Sequence, residues 1–470
     1  MARVVIVGAG ISGLSLAYRL NQLTPAAEVL VLEQGDRPGG TVWTEHRAGF
    51  TIELGPNAFI ETKPSTLTLC NDIGLGGELL PASETSARNR YLFLGQKLHL
   101  LPKNSLTSIL RSPLLTWRGK LRLLSERFRP PRHDTTAESI DAFVRRRAGP
   151  EAARIFADAM VTGFFAGDAT LLSMRAAFPR LVAFEESDGS VMKGIARLAR
   201  ERRAAAASRG EPHRPAGRMW SFRAGMRTLI EALAQKLPAP PILGVHVQRI
   251  ERAIVDSQSA AWTFRGTGAD RWHADAVVLT CPSHAQAGMV ADLDAGLAAE
   301  IAAIAYNRIA VVALGYRQED IPIKLDGFGF IAPQNTRRDI LGVQWCSSIF
   351  PGRAPQGCVL LRAMCGGWNR PEIVGWDESR LLDAVRAELL TAMRIEAPPV
   401  FHHVARWDRA IPQYHLGHLK RVASIEARTK GHPGLFLGGN AYHGVALNDC
   451  TEQAEMLAGQ VADYLMRVSG

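Results

Sequence analysis

Cysteine is scarce in this chain: Cys70, Cys281, Cys346, Cys358, Cys365 and Cys450 make six, with no CxxC spacing among them. That excludes a CxxC redox or zinc motif and reads as buried thiols of a reducing compartment. Long apolar runs are missing as well. A bilayer span takes about 20 apolar residues, and the best stretch, residues 301–316, is broken by Asn307 and Arg308. The first strand already begins at Val4, which leaves no room for a leader and predicts a chain that is cytoplasmic, or peripheral on the cytoplasmic face of a membrane. No Ser-His-Asp set, carboxylate pair or metal-ligand cluster stands out, so neither a metal nor a catalytic side chain is expected. Internal repeats and nucleic-acid modules are also absent, and no nucleic-acid partner is expected.

At 470 residues the chain exceeds one simple core, so two or three lobes are expected. Its net charge of +10 calls for an anionic partner, either a lipid surface or a carboxylate-bearing substrate.

The most informative segment runs over residues 4–40. Residues 4–7 read as a short buried strand, followed by Gly8, Gly10 and Gly13 in the GxGxxG spacing of a dinucleotide fold. The helix beginning at Ile11 aims its N-terminal amides at a pyrophosphate. A second strand over 29–32 ends at Glu33, an acid placed to accept ribose hydroxyls. Arg37-Pro38-Gly39-Gly40 follows at once, and that second glycine cluster is the pattern of FAD oxidoreductases rather than of NAD dehydrogenases. At 49–57 a strand ends in Gly55-Pro56-Asn57, a turn able to press backbone against a ligand.

Composition changes near Arg88. Residues 97–132 hold nine Lys or Arg and a single acid, Glu126, interleaved with leucines and Trp117. Such a segment suits a lipid headgroup layer, or equally a helical lobe with solvated basic residues. Helices are predicted over 137–148, opened by Thr135-Thr136, and over 150–161. The Ala/Arg-rich stretch 200–218 reads as a surface loop. A helix at 225–237 and strands at 245–250 and 274–280 return to the first lobe. Residues 301–316, 327–331, 339–345 and 359–364 alternate as antiparallel strands. A helix at 378–394, a strand at 434–438 and a helix at 448–468 close the chain.

Several blocks carry a further resemblance. They are Arg88-Asn89-Arg90-Tyr91, Gly163-Phe164-Phe165-Ala166-Gly167-Asp168, Ile411-Pro412-Gln413-Tyr414 with Gly417-His418, and Gly439-Asn440-Ala441-Tyr442-His443-Gly444. Together they resemble the oxygen-dependent protoporphyrinogen oxidase family of the amine-oxidase-like FAD superfamily, over the whole chain. The resemblance implies an α/β fold (α+β overall): a Rossmann-type FAD-binding domain from 1–84, 219–289 and 402–470, an antiparallel-sheet substrate domain from 85–95 and 290–401, and a helical membrane-associated domain over 96–218. It implies six-electron oxidation of a porphyrinogen, with FAD passing electrons to molecular oxygen and hydrogen peroxide released. It also leaves room for a homodimer and for a contact with the next haem-pathway enzyme.

Site residues follow from the same match. Gly8, Ala9, Gly10, Ile11, Ser12 and Gly13 would meet the pyrophosphate, and Glu33, with Gln34 beside it, the adenosine ribose. Arg37, Gly39, Gly40 and Thr41 form the second cluster, Gly55, Pro56 and Asn57 border the isoalloxazine, and Val247 meets adenine. Asn440, Val445, Ala446 and Leu447 start a final helix whose amides favour negative charge on reduced flavin. No cysteine or histidine has support as an attachment point, so FAD is expected to be non-covalent. Arg90 would bind a propionate, Gly163 would line the slot unless it merely caps a helix, and Phe330 and Met364 would form apolar walls unless they are ordinary core. His443 is the one histidine with positional support as a base. Coproporphyrinogen oxidation, another amine oxidase or desaturase, and a silent flavoprotein scaffold are the competing functions.

Overall fold

The computed structural model describes residues 2–102, 106–132, 134, 136–208, 217–256, 259–266 and 271–469. Lys103, Thr135 and residues 209–216 of the Ala/Arg-rich stretch lie outside them. The first lobe is built on four parallel strands, in spatial order Leu435–Leu437, Ala276–Leu279, Arg3–Val7 and Glu28–Leu32. Val4, Val5 and Ile6 are fully buried, as a central parallel strand covered on both faces requires. Helices Ile11–Leu23 and Leu447–Ser469 cover one of those faces in a shared core. The backbone of 242–245 runs along the outer strand, with Glu33 N donating to Ile242 O (2.9 Å) and Val245 N to Glu33 O (2.8 Å). The regular strand expected at 245–250 instead starts at Arg249–Asp256, which pairs within a separate three-stranded sheet.

The second lobe centres on a seven-stranded mixed sheet. Its order is Phe401–Trp407, Ile309–Arg317, Cys358–Gly366, Ile340–Trp345, Gly329–Ile331, Tyr91–Leu94 and Lys97–Leu100. Side-chain alternation divides its two faces. Val359, Leu361, Ala363 and Cys365 point to a core closed by helix Glu378–Met393. Leu360, Arg362 and Met364 point the other way. There, Phe50 stacks on Phe401 (4.9 Å between rings) and Trp407 Nε1 donates to Leu54 O (2.8 Å), docking this face on the first lobe. Strands Phe401–Trp407 and Lys97–Leu100 belong to this sheet, so the proposed domain boundaries at 402 and 96 cut through it. The expected strand over 301–316 forms only in its second half: helix Ala295–Ala302 ends before Asn307-Arg308, and the strand begins at Ile309.

Helices fill the third lobe. The one expected over 150–161 continues to Phe165 through a π-turn at Ala153–Ala157. Helix Ile140–Ala148 is capped by Ser139, whose Oγ accepts from Ala142 N at 3.2 Å, rather than by Thr135-Thr136. Residues 200–208, read as loop, are the end of helix Val191–Ser208. Alanine and arginine are strong helix formers, and an Arg197–Glu201 ion pair one turn apart assists. Glu126, the lone acid of its basic segment, is buried against Arg147: Arg147 Nε donates to Glu126 Oε1 at 2.9 Å. Leu114 and Leu115 are also buried, packing with Leu92 and Ile155, whereas Trp117 (66%), Leu121 (64%) and Phe128 (78%) stand exposed.

Candidate active site

The glycine clusters meet as a pair. Gly10 bridges Gly39, and Gly39 N donates to Ala9 O at 2.8 Å. A Cβ on Gly13 would lie 1.9 Å from Gly8 O, so that glycine lets the helix press on the strand. A Cβ on Gly10 would meet nothing within 4 Å: the protein itself does not need that glycine, but a ligand approaching its backbone does. Helix Ile11–Leu23 starts without a side-chain cap and without an acid in its first turn, which leaves the amides of Ile11, Ser12 and Gly13 to an anion. Glu33 accepts from Ala9 N (2.7 Å) and Gly35 N (2.8 Å), so its carboxylate is fixed at the strand end with lone pairs to spare. Gln34, Gly40 and Thr41 are exposed around this opening, and Val247 is buried near its far end. Arg37 stacks on Trp43 (4.1 Å) and reaches Gly40 O at 3.2 Å.

At the other end, a Cβ on Gly55 would lie 1.8 Å from Thr41 O, so only glycine lets the two segments touch. After Pro56, the Asn57 amide is buried with neither its nitrogen nor its oxygen hydrogen-bonded. A buried orphan amide asks for a polar partner that the protein does not supply. These features together fit FAD: free helix amides, a held acid, open space at Gly10 and an unsatisfied amide at the turn.

The third element of this site is buttressed from behind. Tyr414 Oη donates to Asn440 O (2.5 Å) and accepts from Gly444 N (2.8 Å). His418 stacks on Tyr414 (4.0 Å), and its Nε2 donates to Tyr442 O (3.1 Å). Burial pulls His418 down to about 4, which keeps it neutral near pH 7. The Ala446 amide is taken by Asp449 Oδ2 at 3.2 Å, while Val445 and Leu447 flank it at the helix start. His443 is exposed and turned outward to Glu426 Oε1 (2.9 Å), so it does not serve as a base here.

The substrate candidates divide. Met364 is half-buried on the sheet face toward the first lobe, beside Val311, Leu341, Ala166, Trp407 and Ile411. Gly163 lies on helix Asp158–Phe165, and its Cβ would come within 2.9 Å of Ile331 Cδ1. That helix ends on Ala166 at φ 45°, so Gly163 is not its cap. Phe330 faces the opposite way. It is buried against Phe93, with ring centroids 5.5 Å apart, in the core under helix Glu378–Met393. Strand alternation puts its neighbour Ile331 on the other face, packed with Leu92, Leu115 and Ile155. Arg90 is exposed, with its guanidinium 5.2 Å from the centre of the Phe328 ring, and no described carboxylate pairs with it. Surrounding protein nevertheless lowers its basicity through desolvation. Arg362 was not anticipated; one arginine inside the apolar strand Cys358–Gly366 was the available signal.

A cavity of about 780 Å3 lies elsewhere, at the free edge of Leu435–Leu437, and touches the cofactor candidates only at Ser12.

Comparisons with known proteins agree with this geometry. The model of the flavin containing amine oxidoreductases matches residues 11–462. The chain is 33% identical to the chloroplastic protoporphyrinogen oxidase of Nicotiana tabacum, over 98% of this chain and 86% of that one. It is 27% identical to the coproporphyrinogen III oxidase of Bacillus subtilis, over 98% of each. A solved Exiguobacterium sp. 255-15 protein, provisionally named protoporphyrinogen oxidase, superposes with a TM-score of 0.83 at 27% identity, covering 98% of both chains. With its paired glycine clusters, held acid and orphaned turn amide, the chain is an FAD-dependent oxidoreductase and belongs to the flavin-containing amine oxidoreductases, in the group that holds the protoporphyrinogen oxidases.

Proposed function

We propose that this chain oxidises protoporphyrinogen IX to protoporphyrin IX in haem biosynthesis, with oxygen as acceptor and hydrogen peroxide released. The observation that carries the reading is an apolar cluster of Met364, Leu341, Val311 and Ile411 on the sheet face turned toward the first lobe, with Arg90 as an exposed guanidinium that no described carboxylate pairs. Bound FAD would supply the redox chemistry, two-electron dehydrogenation with oxygen as final acceptor. Arg90 holds a propionate, and a guanidinium fork fixes both position and rotation of that carboxylate. The apolar walls exclude water and hold the ring by dispersion, so that the reacting carbon stays in contact range. Gly10 lets backbone approach the cofactor, Gly39 and Gly55 let the neighbouring segments close around it, and Tyr414 with His418 keeps the Asn440–Leu447 corner rigid. Protons lost from the ring leave through water or a propionate.

The relative from Bacillus subtilis favours coproporphyrinogen III as the second reading. That substrate carries four propionates rather than two, so it would leave anionic groups against the apolar walls. Anaerobic mixing with each porphyrinogen decides between them. The yellow flavin should bleach faster with protoporphyrinogen and recover on admission of oxygen. Faster bleaching with coproporphyrinogen reverses the assignment, and bleaching by neither ends it. Acid precipitation of the same sample should leave all colour in the supernatant, as a non-covalent cofactor requires.

The helical lobe is proposed to rest on a membrane surface. No described helix is long and apolar enough to cross a bilayer. Trp117, Leu121 and Phe128 are exposed within the basic segment, and they can enter an interface while its arginines meet anionic lipid. The triple variant Trp117→Ser, Leu121→Ser, Phe128→Ser should lose binding to anionic vesicles with its flavin spectrum intact. Leu114 and Leu115 cannot serve in this test, because they belong to the core. Wild-type protein that floats free of such vesicles at low salt would make the lobe a basic helical domain only.

A further inference from the structure

Arg362 is 5% exposed in the middle of the second lobe's sheet. Its Nη1 donates to Gln344 Oε1 at 3.2 Å, and its Nη2 donates to the carbonyl of Gly55. Its Nε has no partner, and among the described residues no carboxylate lies within ion-pair distance. The nearest acid, Glu53, is already engaged. It accepts from Thr44 Oγ1 (2.7 Å) and Met226 N (2.9 Å), and Arg353 sits 3.5 Å away. Burial lowers the basicity of Arg362, but a guanidinium does not give up its proton in a protein. Glu53 therefore offsets the Arg362 charge only at a distance, and a buried cation without a direct ion pair is costly, a cost that a charge developing nearby would offset. The place is specific: Gly55 opens the turn that borders the flavin, and Met364, two residues along the strand, faces the slot.

We propose that Arg362 is a positioning residue whose unpaired positive charge, set behind the Gly55 carbonyl, stabilises the negative charge that reduction leaves on the flavin. Two electrons and one proton leave a flavin with one net negative charge. Oxygen and one further proton then remove that hydride as hydrogen peroxide and restore the neutral oxidised ring. Arg362 thus favours reduction in each of the three cycles and lets Gln344 and Gly55 fix its orientation. This inference rests on the flavin reading and is independent of which porphyrinogen is the substrate.

The test is the two-electron midpoint potential of purified holoenzyme, measured against reference dyes with no porphyrinogen present. Arg362→Gln should retain FAD while its reduction equilibrium falls by at least about tenfold, or about 30 mV for a two-electron couple. Arg362→Lys, which keeps the charge, should recover most of that loss. Gln344→Glu keeps Arg362 but sets a carboxylate against it, and should lower the potential as the neutral variant does. A yellow Arg362→Gln enzyme at the wild-type potential overturns the proposal. So does a lysine variant as low as the glutamine one, which would mean that the fork only braces the turn. Should Arg362→Gln fail to fold, an unchanged potential in Gln344→Glu overturns it alone. Wild-type protein unable to take up FAD would instead refute the flavin reading itself.

Discussion

Glu126→Ala is expected to destabilise the helical lobe by about 3–5 kcal/mol, the range for breaking one side of a buried ion pair. Glu126 and Arg147 are 2% exposed each. Arg147 also donates to the carbonyls of Arg129 (3.0 Å), Pro130 (3.1 Å) and Gly189 (3.0 Å), tying three segments together. The Glu126 carboxylate in turn accepts from Ser190 Oγ (2.5 Å), Val191 N (3.0 Å) and Met192 N (3.2 Å), which caps helix Val191–Ser208. Removing it leaves three donors unmet and Arg147 with only the longer 3.4 Å contact to Glu185 as a carboxylate partner. Thermal unfolding and protease sensitivity within 106–208 should both move, with the flavin spectrum of the surviving fold unchanged. A variant as protease-resistant as wild type would show that water replaces the carboxylate.

Arg90→Ala should raise the KM for the porphyrinogen with little change in flavin content. Loss of a charge-assisted contact in a partly desolvated site costs about 1.5–3 kcal/mol, which is roughly a 10- to 150-fold change in binding. Its stability effect should be small, because Arg90 is exposed and no described carboxylate pairs with it. Arg90→Lys should recover part of the loss, since an ammonium keeps the charge but not the bidentate fork. A wild-type KM in the alanine variant would remove Arg90 from the site.

The first lobe was readable because its signals are local. A buried Val/Ile run, glycines at fixed offsets and an acid at the next strand end are each enforced within about one βαβ unit. The slot was readable only in part. Met364 and Phe330 are both apolar residues of strands, and nothing in their own neighbourhood tells which sheet face is covered by a helix. The pairing of Ile331 with Gly342 and of Gly342 with Met364 decides it, and puts Phe330 in the core. His443 failed for a similar reason: proximity in sequence to a flavin-binding corner does not set the direction in which a side chain leaves it. The loop expected at 200–208 failed on propensity, since low complexity hid a run of good helix formers.

What the sequence by itself determined is the dinucleotide cofactor, because backbone geometry at glycines and charge at strand ends act over a few residues, while the reaction class came from blocks that resemble a family. Tertiary structure alone decided which charges stand paired. Glu126 and Arg147 are 21 positions apart and form a direct ion pair, whereas Arg362 is hydrogen-bonded to Gly55, 307 positions away, and has no direct ion pair among the described residues. Whether a buried charge becomes an anchor or a source of field depends on distances that only the folded chain establishes, since Coulomb interaction falls with separation in space and not along the sequence.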